Sequence, residues 1–219
     1  GCRSALRYKI ERPNLFCKDP LKYVFKTDLK NQCDFEKIFV KTAMVLLTEN
    51  MVPYRTQSLL TNGQQTYGNL FNLGHDSTEE IQKIIRAEVD NYKDHYKDSE
   101  EGIISNWPAD YSIVGWLISM KSGGELRPHM HESGWLSGSV YINVPQKKNT
   151  DSGNLVVCIE DEEFLKGGVK NPKTIVNVVT GSLALFPSSL LHYTIPFESE
   201  EERIVLAFDV VPKKISNGN

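Results

Sequence analysis

The chain has 219 residues, four cysteines and a formal net charge of −3 at pH 7. A chain of this length can bury one sizeable core, so we expect a single domain over residues 1–219. The small net charge and the lack of a clustered basic patch argue against a nucleic-acid partner, and no apolar run is long enough to suggest a membrane protein.

The cysteines and the first residues bear on the compartment and on neighbouring domains. Cys2, Cys17, Cys33 and Cys158 lack CxxC spacing and are typical of buried or free thiols in a reducing compartment, so we expect a cytoplasmic protein. Residues 1–4 do not have the pattern of a signal peptide. Because the chain does not begin with methionine, we expect additional domains outside it.

The N-terminal part of the chain, residues 1–102, predicts helices. Apolar residues recur at helical spacing from about residue 34 to 47. They recur again after Ser77-Thr78-Glu79-Glu80, which has the form of a capping box. We expect these helices to support a sheet by packing on one of its faces.

From residue 103 to 212 the pattern changes to short apolar runs separated by turn residues. The predicted strands cover residues 113–120, 136–144, 153–159, 174–179, 182–187, 188–196 and 203–211, and a turn is predicted at 121–124. Many short strands at close spacing indicate a mainly β fold, either a double-sheet jelly roll of the cupin-like kind or a barrel, with the helices on one sheet.

The last predicted strand has two distinct faces, because residues two apart on a strand point the same way. The inward face has Arg203, Val205, Ala207 and Asp209, and the outward face has Ile204, Leu206 and Phe208. The outward residues are apolar and need a covering layer, which the predicted helices can supply.

Three of the five histidines form the most informative pattern of the chain. His129 and His131 are two residues apart, so on a strand both imidazoles would face one side, and His192 lies in a later apolar run. Imidazole binds iron, copper, zinc and nickel, and three such ligands leave half of an octahedron open. An isolated His-x-His often binds no metal, but the flanking strands and the distant His192 favour a metal site here.

Four separated segments, taken in order, resemble the iron(II)- and 2-oxoglutarate-dependent oxygenases: residues 123–131, 134–138, 186–192 and 202–203. Within this superfamily, the sequence more closely resembles a bacterial branch that is related to prolyl-4-hydroxylases and often follows tetratricopeptide repeats. The resemblance implies a double-stranded β-helix over residues 103–212, Fe(II) as the cofactor, and 2-oxoglutarate and O₂ as co-substrates.

The resemblance also implies roles for individual residues. His129 matches the first metal ligand and His192 the distal one, while Arg203 matches the cation that holds the far carboxylate of 2-oxoglutarate. A guanidinium suits this role because it is always charged and can form two parallel hydrogen bonds. His131 stands where the family has a carboxylate, so it is either a third ligand, which we favour, or a group behind the ligands.

Four other residues complete the predicted site. Tyr141, Ser139 and Thr194 share inward parity with the site residues and are expected to bind a carboxylate of 2-oxoglutarate. Trp135 follows the ligands directly and is a candidate substrate contact, with a role in the core as the alternative. Trp116 is expected to pack in the core or at the rim.

These residues predict a non-haem dioxygenase that hydroxylates an unidentified protein or small molecule and releases succinate and CO₂. One alternative is a three-histidine, cupin-like dioxygenase that does not use 2-oxoglutarate, which His131 favours and Arg203 opposes. A second alternative is a non-catalytic binding module in which the metal is structural. The prime substrate and the oligomeric state do not follow from the sequence.

Overall fold

The computed structural model describes residues 14, 16–49, 51–165 and 170–213, so residues 1–4 and Cys2 lie outside the described residues. Its strands are β1 (Phe25–Asp28), β2 (Tyr54–Arg55), β3 (Leu60–Thr66), β4 (Tyr111–His129), β5 (Leu136–Asn143), β6 (Leu155–Cys158), β7 (Lys173–Val176), β8 (Ser182–Pro187), β9 (Leu191–Thr194) and β10 (Arg203–Pro212). Its helices are α1 (Lys41–Thr48), preceded by a π-helical stretch at Glu36–Val40, α2 (Asp76–His95) and α3 (Gly102–Ser105).

The strands form one antiparallel sheet that curls into a nearly closed shell. Its order is β1-β8-β5-β10-β4-β9-β6-β7, with β3 added to β4 and β2 added to β3. Strand β4 connects the two halves of the shell, because its first part pairs with β10 and its end pairs with β9. The prediction of a mainly β, double-stranded β-helix is confirmed. Within the described residues, no helix is long and apolar enough to cross a membrane.

Strand β10 has the two faces that its sequence predicts. Ile204, Leu206 and Phe208 are buried in the large core that the sheet forms with the helices. Helix α2 contributes the matching apolar face to this core, with Ile81, Ile85, Val89 and Tyr92. The opposite face of β10 points into the shell, where Arg203, Val205, Ala207 and Asp209 line a cavity. The helices therefore support one sheet, and the interior of the shell is left for the site.

The predicted turn at residues 121–124 is wrong, because β4 continues through it to His129. Gly123 has a φ of +73°, a conformation that glycine adopts without a Cβ clash. Its backbone N–H donates to the carbonyl of Phe197 at 2.7 Å, and the register between β3 and β4 shifts between Thr61 and Gly63. The glycine pair therefore makes an irregularity within one long strand and does not reverse the chain.

Helix α2 begins two residues earlier than the predicted capping box requires. His75 has an extended backbone, with φ of −106° and ψ of 130°, and its Nδ1 accepts from the backbone N–H of Ser77 at 3.4 Å. A capping residue must lie outside the helix, and Ser77 already lies inside it. His75 is therefore the cap, and the capping box at Ser77 is wrong.

Candidate metal and co-substrate site

The three predicted histidines come together inside the shell. Their ligand atoms all lie within 4.8 Å of one another. The ring centroids of His129 and His192 are 4.2 Å apart, and those of His131 are 5.2 Å and 4.9 Å from them. His129 ends β4 opposite His192 of β9, whereas His131 lies after the strand, in the turn that follows it. The three imidazoles therefore form a compact group of nitrogen donors.

Each of the three imidazoles has its Nδ1 next to an oxygen that can only accept a hydrogen bond. These acceptors are Arg127 O for His129 at 2.8 Å, Asp209 Oδ1 for His131 at 2.7 Å and Leu190 O for His192 at 3.4 Å. We therefore assign the proton to Nδ1 in each ring, which leaves each Nε2 with a free lone pair. Metal-bound histidines in proteins usually have this arrangement.

Burial favours the neutral, metal-binding form of two of these histidines. It lowers the pKa of His129 to about 4. Burial also lowers the pKa of His192 well below its ordinary value, and the neighbouring His129 and His131 lower it further. Because only the neutral imidazole can donate a lone pair to a metal, both rings are in the binding state at neutral pH.

Arg203 is a buried cation that lacks an anionic partner. It begins β10 with 2 % of its surface exposed, and it lines the same cavity as the three histidines. Its Nε has no hydrogen-bond partner, and none of the ion pairs in the described part of the chain involves it. An unpaired buried charge is costly, so this guanidinium indicates a site for an anion.

The predicted carboxylate-binding residues line the same cavity as this arginine. The ring of Tyr141 is 5.1 Å from Arg203 Cζ, and burial raises the pKa of the Tyr141 hydroxyl, so it stays protonated and can donate. Ser139 and Thr194 line the same cavity. The cavity has a volume of about 580 Å³, within the range of small-molecule sites.

The structure does not bring Trp135 to the cavity, so its assignment as a substrate contact is corrected. Its side chain packs against the core between sheet and helices, where its ring meets Phe16 at 5.4 Å and its Nε1 donates to Ile103 O at 3.0 Å. The turn at residues 132–133 interrupts the strand alternation between His131 and Trp135, so nearness in sequence does not place Trp135 in the cavity. Trp116 lines the cavity instead, with its ring 5.5 Å from that of His131.

A polar network behind His131 has no counterpart in the sequence-based prediction. Asp209 accepts from His131, and Ser137 Oγ lies 2.6 Å from Asp209 Oδ1 and 2.8 Å from Ser188 Oγ. Strand parity predicted that Asp209 faces inward but gave it no role. Its contact with His131 joins residues 78 positions apart and has no local sequence signal.

The fold and the site together define a double-stranded β-helix protein with a group of three histidines that could hold a metal ion and a buried cation in the same cavity. Residues 115–209 match the model of a family described as "Putative 2OG-Fe(II) oxygenase". This match covers 95 of the 219 residues, and in this segment the chain is similar to the Fe(II)- and 2-oxoglutarate-dependent oxygenases that its sequence resembles. The description of this family names Fe(II) and 2-oxoglutarate, and the three histidines of this chain could hold a metal ion.

Solved structures show the same fold at low sequence identity. A prolyl-4-hydroxylase from Pseudomonas putida is 14 % identical, with a TM-score of 0.59 over 87 % of this chain and 93 % of that one. The 2-oxoglutarate-dependent epimerase SnoN from nogalamycin biosynthesis is 12 % identical, with a TM-score of 0.62 over 95 % and 80 %. HygX from Streptomyces hygroscopicus, with nickel and 2-oxoglutarate bound, is 12 % identical, with a TM-score of 0.55 over 90 % and 85 %. No curated protein matches the chain.

Proposed function

We propose that this protein is an Fe(II)- and 2-oxoglutarate-dependent oxygenase that hydroxylates its substrate and releases succinate and CO₂. In this proposal His129, His131 and His192 hold the iron, and Arg203 binds the far carboxylate of 2-oxoglutarate. The observation that carries the proposal is the buried Arg203, which has no anionic partner among the described residues and lies in the same cavity as the three histidines. A metal centre alone gives no reason to bury a cation beside it, whereas a dicarboxylate that reaches from metal to guanidinium does.

The residues of the cavity fit this pair of groups. The free Nε2 atoms supply three ligands. Because the three imidazoles are neutral, they do not reduce the positive charge of Fe(II), which therefore attracts an anion. The bound iron and 2-oxoglutarate supply oxidising power by activating O₂. The chain holds and orients them: Arg203 fixes one end of the dicarboxylate, and Tyr141, Ser139 and Thr194 offer hydroxyl donors beside it.

The substrate and its position are part of the proposal. Tyr67 and Glu132 are exposed members of the cavity lining, and Trp116 lies deeper, next to His131. We infer that the prime substrate, a protein segment or a small molecule, approaches between them. The flat rings of the Tyr67 and Trp116 side chains can exclude water from one side of the metal.

The three-histidine alternative is a dioxygenase in which the substrate itself binds the metal and 2-oxoglutarate is not used. His131 favours it, because three imidazoles lie in one group without a carboxylate ligand. Arg203 opposes it, since such an enzyme has no need of a buried cation in the cavity. The two functions differ in their requirement for 2-oxoglutarate, which can be measured directly.

An anaerobic titration of the Fe(II) protein with 2-oxoglutarate tests the proposal before a substrate is known. We expect a weak visible charge-transfer band that saturates, and slow succinate formation once O₂ is admitted. Arg203→Ala should shift the titration to higher 2-oxoglutarate concentration. Fe(II) binding without a band and without succinate would contradict the proposal and support the three-histidine alternative. Succinate formation that a candidate substrate accelerates, with the hydroxylated product found by mass spectrometry, tests the finer activity.

A further inference from the structure

The carboxylate of Asp209 contacts His131 and brings a negative charge close to the proposed metal site without belonging to the ligands. Its Oδ1 is 2.7 Å from His131 Nδ1, and its side chain is 13 % exposed. It does not belong to the group of ligand atoms, which in the described residues contains the three histidines. A carboxylate at this distance accepts the Nδ1 proton and directs Nε2 toward the metal.

The surroundings of Asp209 hold the carboxylate in this position. Ser137 Oγ is 2.6 Å from the same Oδ1 and can only donate to it, because an ionised carboxylate has no proton. Ser188 Oγ lies 2.8 Å from Ser137 Oγ, and the backbone N–H of His131 donates to Ser188 O at 3.1 Å. The network thus ties the turn of His131 to β5, to the end of β8 and to β10.

Gly134 shows that space is kept for this network. A Cβ at position 134 would lie 2.4 Å from Ser188 Oγ and 3.4 Å from Asp209 Cγ, so a larger residue would displace the serine hydroxyl. The glycine is therefore needed where the turn of His131 approaches the network. This close approach is an observation separate from the hydrogen bonds, and it also indicates that the turn is shaped to accommodate Ser188 and Asp209.

We propose that Asp209 is a positioning residue of the metal centre, which supplies behind His131 the negative charge that a carboxylate at position 131 would supply as a ligand. This inference rests on the metal-binding part of the proposed function. A hydrogen bond from Nδ1 to a carboxylate increases the basicity of Nε2 and fixes the plane of the ring. Asp209 therefore stabilises bound metal without contacting it.

The first test uses the metal-free wild-type protein and needs no variant that must fold. Nitrogen-15 NMR of histidine-labelled protein, at a pH above the ordinary imidazole pKa of about 6.5, distinguishes the two neutral tautomers. We expect His131, assigned from the His131→Ala spectrum, to carry its proton on Nδ1. A proton on Nε2, the atom that should bind the metal, would overturn the proposal.

The second test measures the affinity for Co²⁺ alone, by calorimetry without 2-oxoglutarate. We expect Asp209→Ala to weaken Co²⁺ by about 10- to 100-fold, the usual effect of losing a partner behind a ligand. Asp209→Asn keeps an acceptor but loses the charge, so it should recover part of the affinity. Glu88→Ala is the matched control, because Glu88 is a buried carboxyl on α2 away from the cavity. The Co²⁺ affinity of this variant should equal that of the wild-type protein.

A double-mutant cycle separates an action through His131 from direct binding of the metal. In the His131→Ala background, we expect Asp209→Ala to cause no further loss of Co²⁺ affinity. An additional loss of tenfold or more would mean that Asp209 binds the metal itself and would overturn the proposal. Because 2-oxoglutarate is absent, a protein that shows this coupling but fails to bind 2-oxoglutarate contradicts only the proposed function.

Discussion

Replacing Arg203 tests the relation between the buried cation and 2-oxoglutarate. Arg203→Ala removes a guanidinium that is 2 % exposed and leaves the metal-binding histidines in place. The far carboxylate of 2-oxoglutarate would then lie in the cavity without its cation. We expect 2-oxoglutarate binding to weaken and metal binding to stay nearly unchanged, because Arg203 is not among the ligand groups.

The size of the loss follows from how the guanidinium is buried. Removing one side of a buried, hydrogen-bonded charge pair costs about 2–5 kcal/mol, which is roughly a 30- to 5,000-fold loss of affinity. Arg203→Lys should recover only part of this, because an ammonium keeps the charge and lacks the planar pair of donors. Arg203→Met keeps the length without the charge and should not lower the stability of the metal-free protein, since the native cation is unpaired.

The assay is the anaerobic charge-transfer titration, with the free energy of unfolding measured in urea for each variant. Arg86→Ala is the matched control, because Arg86 Cζ lies 5.1 Å from the ring of Tyr111, just as Arg203 Cζ lies 5.1 Å from that of Tyr141. Arg86→Ala removes a similar contact between a guanidinium and a tyrosine ring, and Arg86 lies on α2, outside the cavity. Normal 2-oxoglutarate affinity in Arg203→Ala, or an equal loss in Arg86→Ala, would refute the reasoning.

Three further predictions concern the ligands and the core. His192→Ala should greatly reduce Co²⁺ affinity in calorimetry, whereas the exposed His95→Ala should not; equal affinities would remove His192 from the ligand set. The metal-free protein should lose stability as the pH falls from about 6.5 to about 4, because the unfolded chain binds a proton at His129 before the folded one does. The urea midpoint, measured as a function of pH, tests this loss of stability. If the midpoint of His129→Asn falls with pH as steeply as that of the wild type, the prediction is contradicted. Gly138→Ala should destabilise the fold by about 1–3 kcal/mol in urea, because its Cβ would lie 2.2 Å from Phe208 Cζ; an unchanged midpoint would show that the ring can move away.

The parts of the fold that sequence predicts are those with a regular period. The alternation along 203–211 correctly separates the cavity face from the core face, because a half-buried strand must alternate. Strand β3 has no such alternation, since Leu60–Thr66 is mostly polar and contains Asn62 with a φ of 48°. The position of β3 depends on its pairing with β4, and a pattern within residues 60–66 cannot reveal a pairing with a distant segment.

The same distinction applies to the site. The His-x-His pattern and the placement of Arg203 can be read locally, and the structure brings them to one cavity. Trp135 could not be placed from its proximity to the ligands, because the turn between them changes which face a residue occupies. The hydrogen bond between Asp209 and His131 joins two distant parts of the chain. The strand alternation could therefore predict only that the side chain of Asp209 points inward.

The position of the histidines also affects how the two halves of the shell hold together. Strand β4 meets β9 through two register pairs, Leu126 with Thr194 and His129 with His192, and the register shifts between them. A metal bound to both histidines would cross-link the strands beside this short and irregular ladder. At a metal concentration of 100 times its dissociation constant, binding adds about 2.7 kcal/mol to the stability of the folded state. Binding of a metal would therefore slow hydrogen exchange in β9, and the proposed iron would stabilise the shell in addition to its role in the proposed reaction.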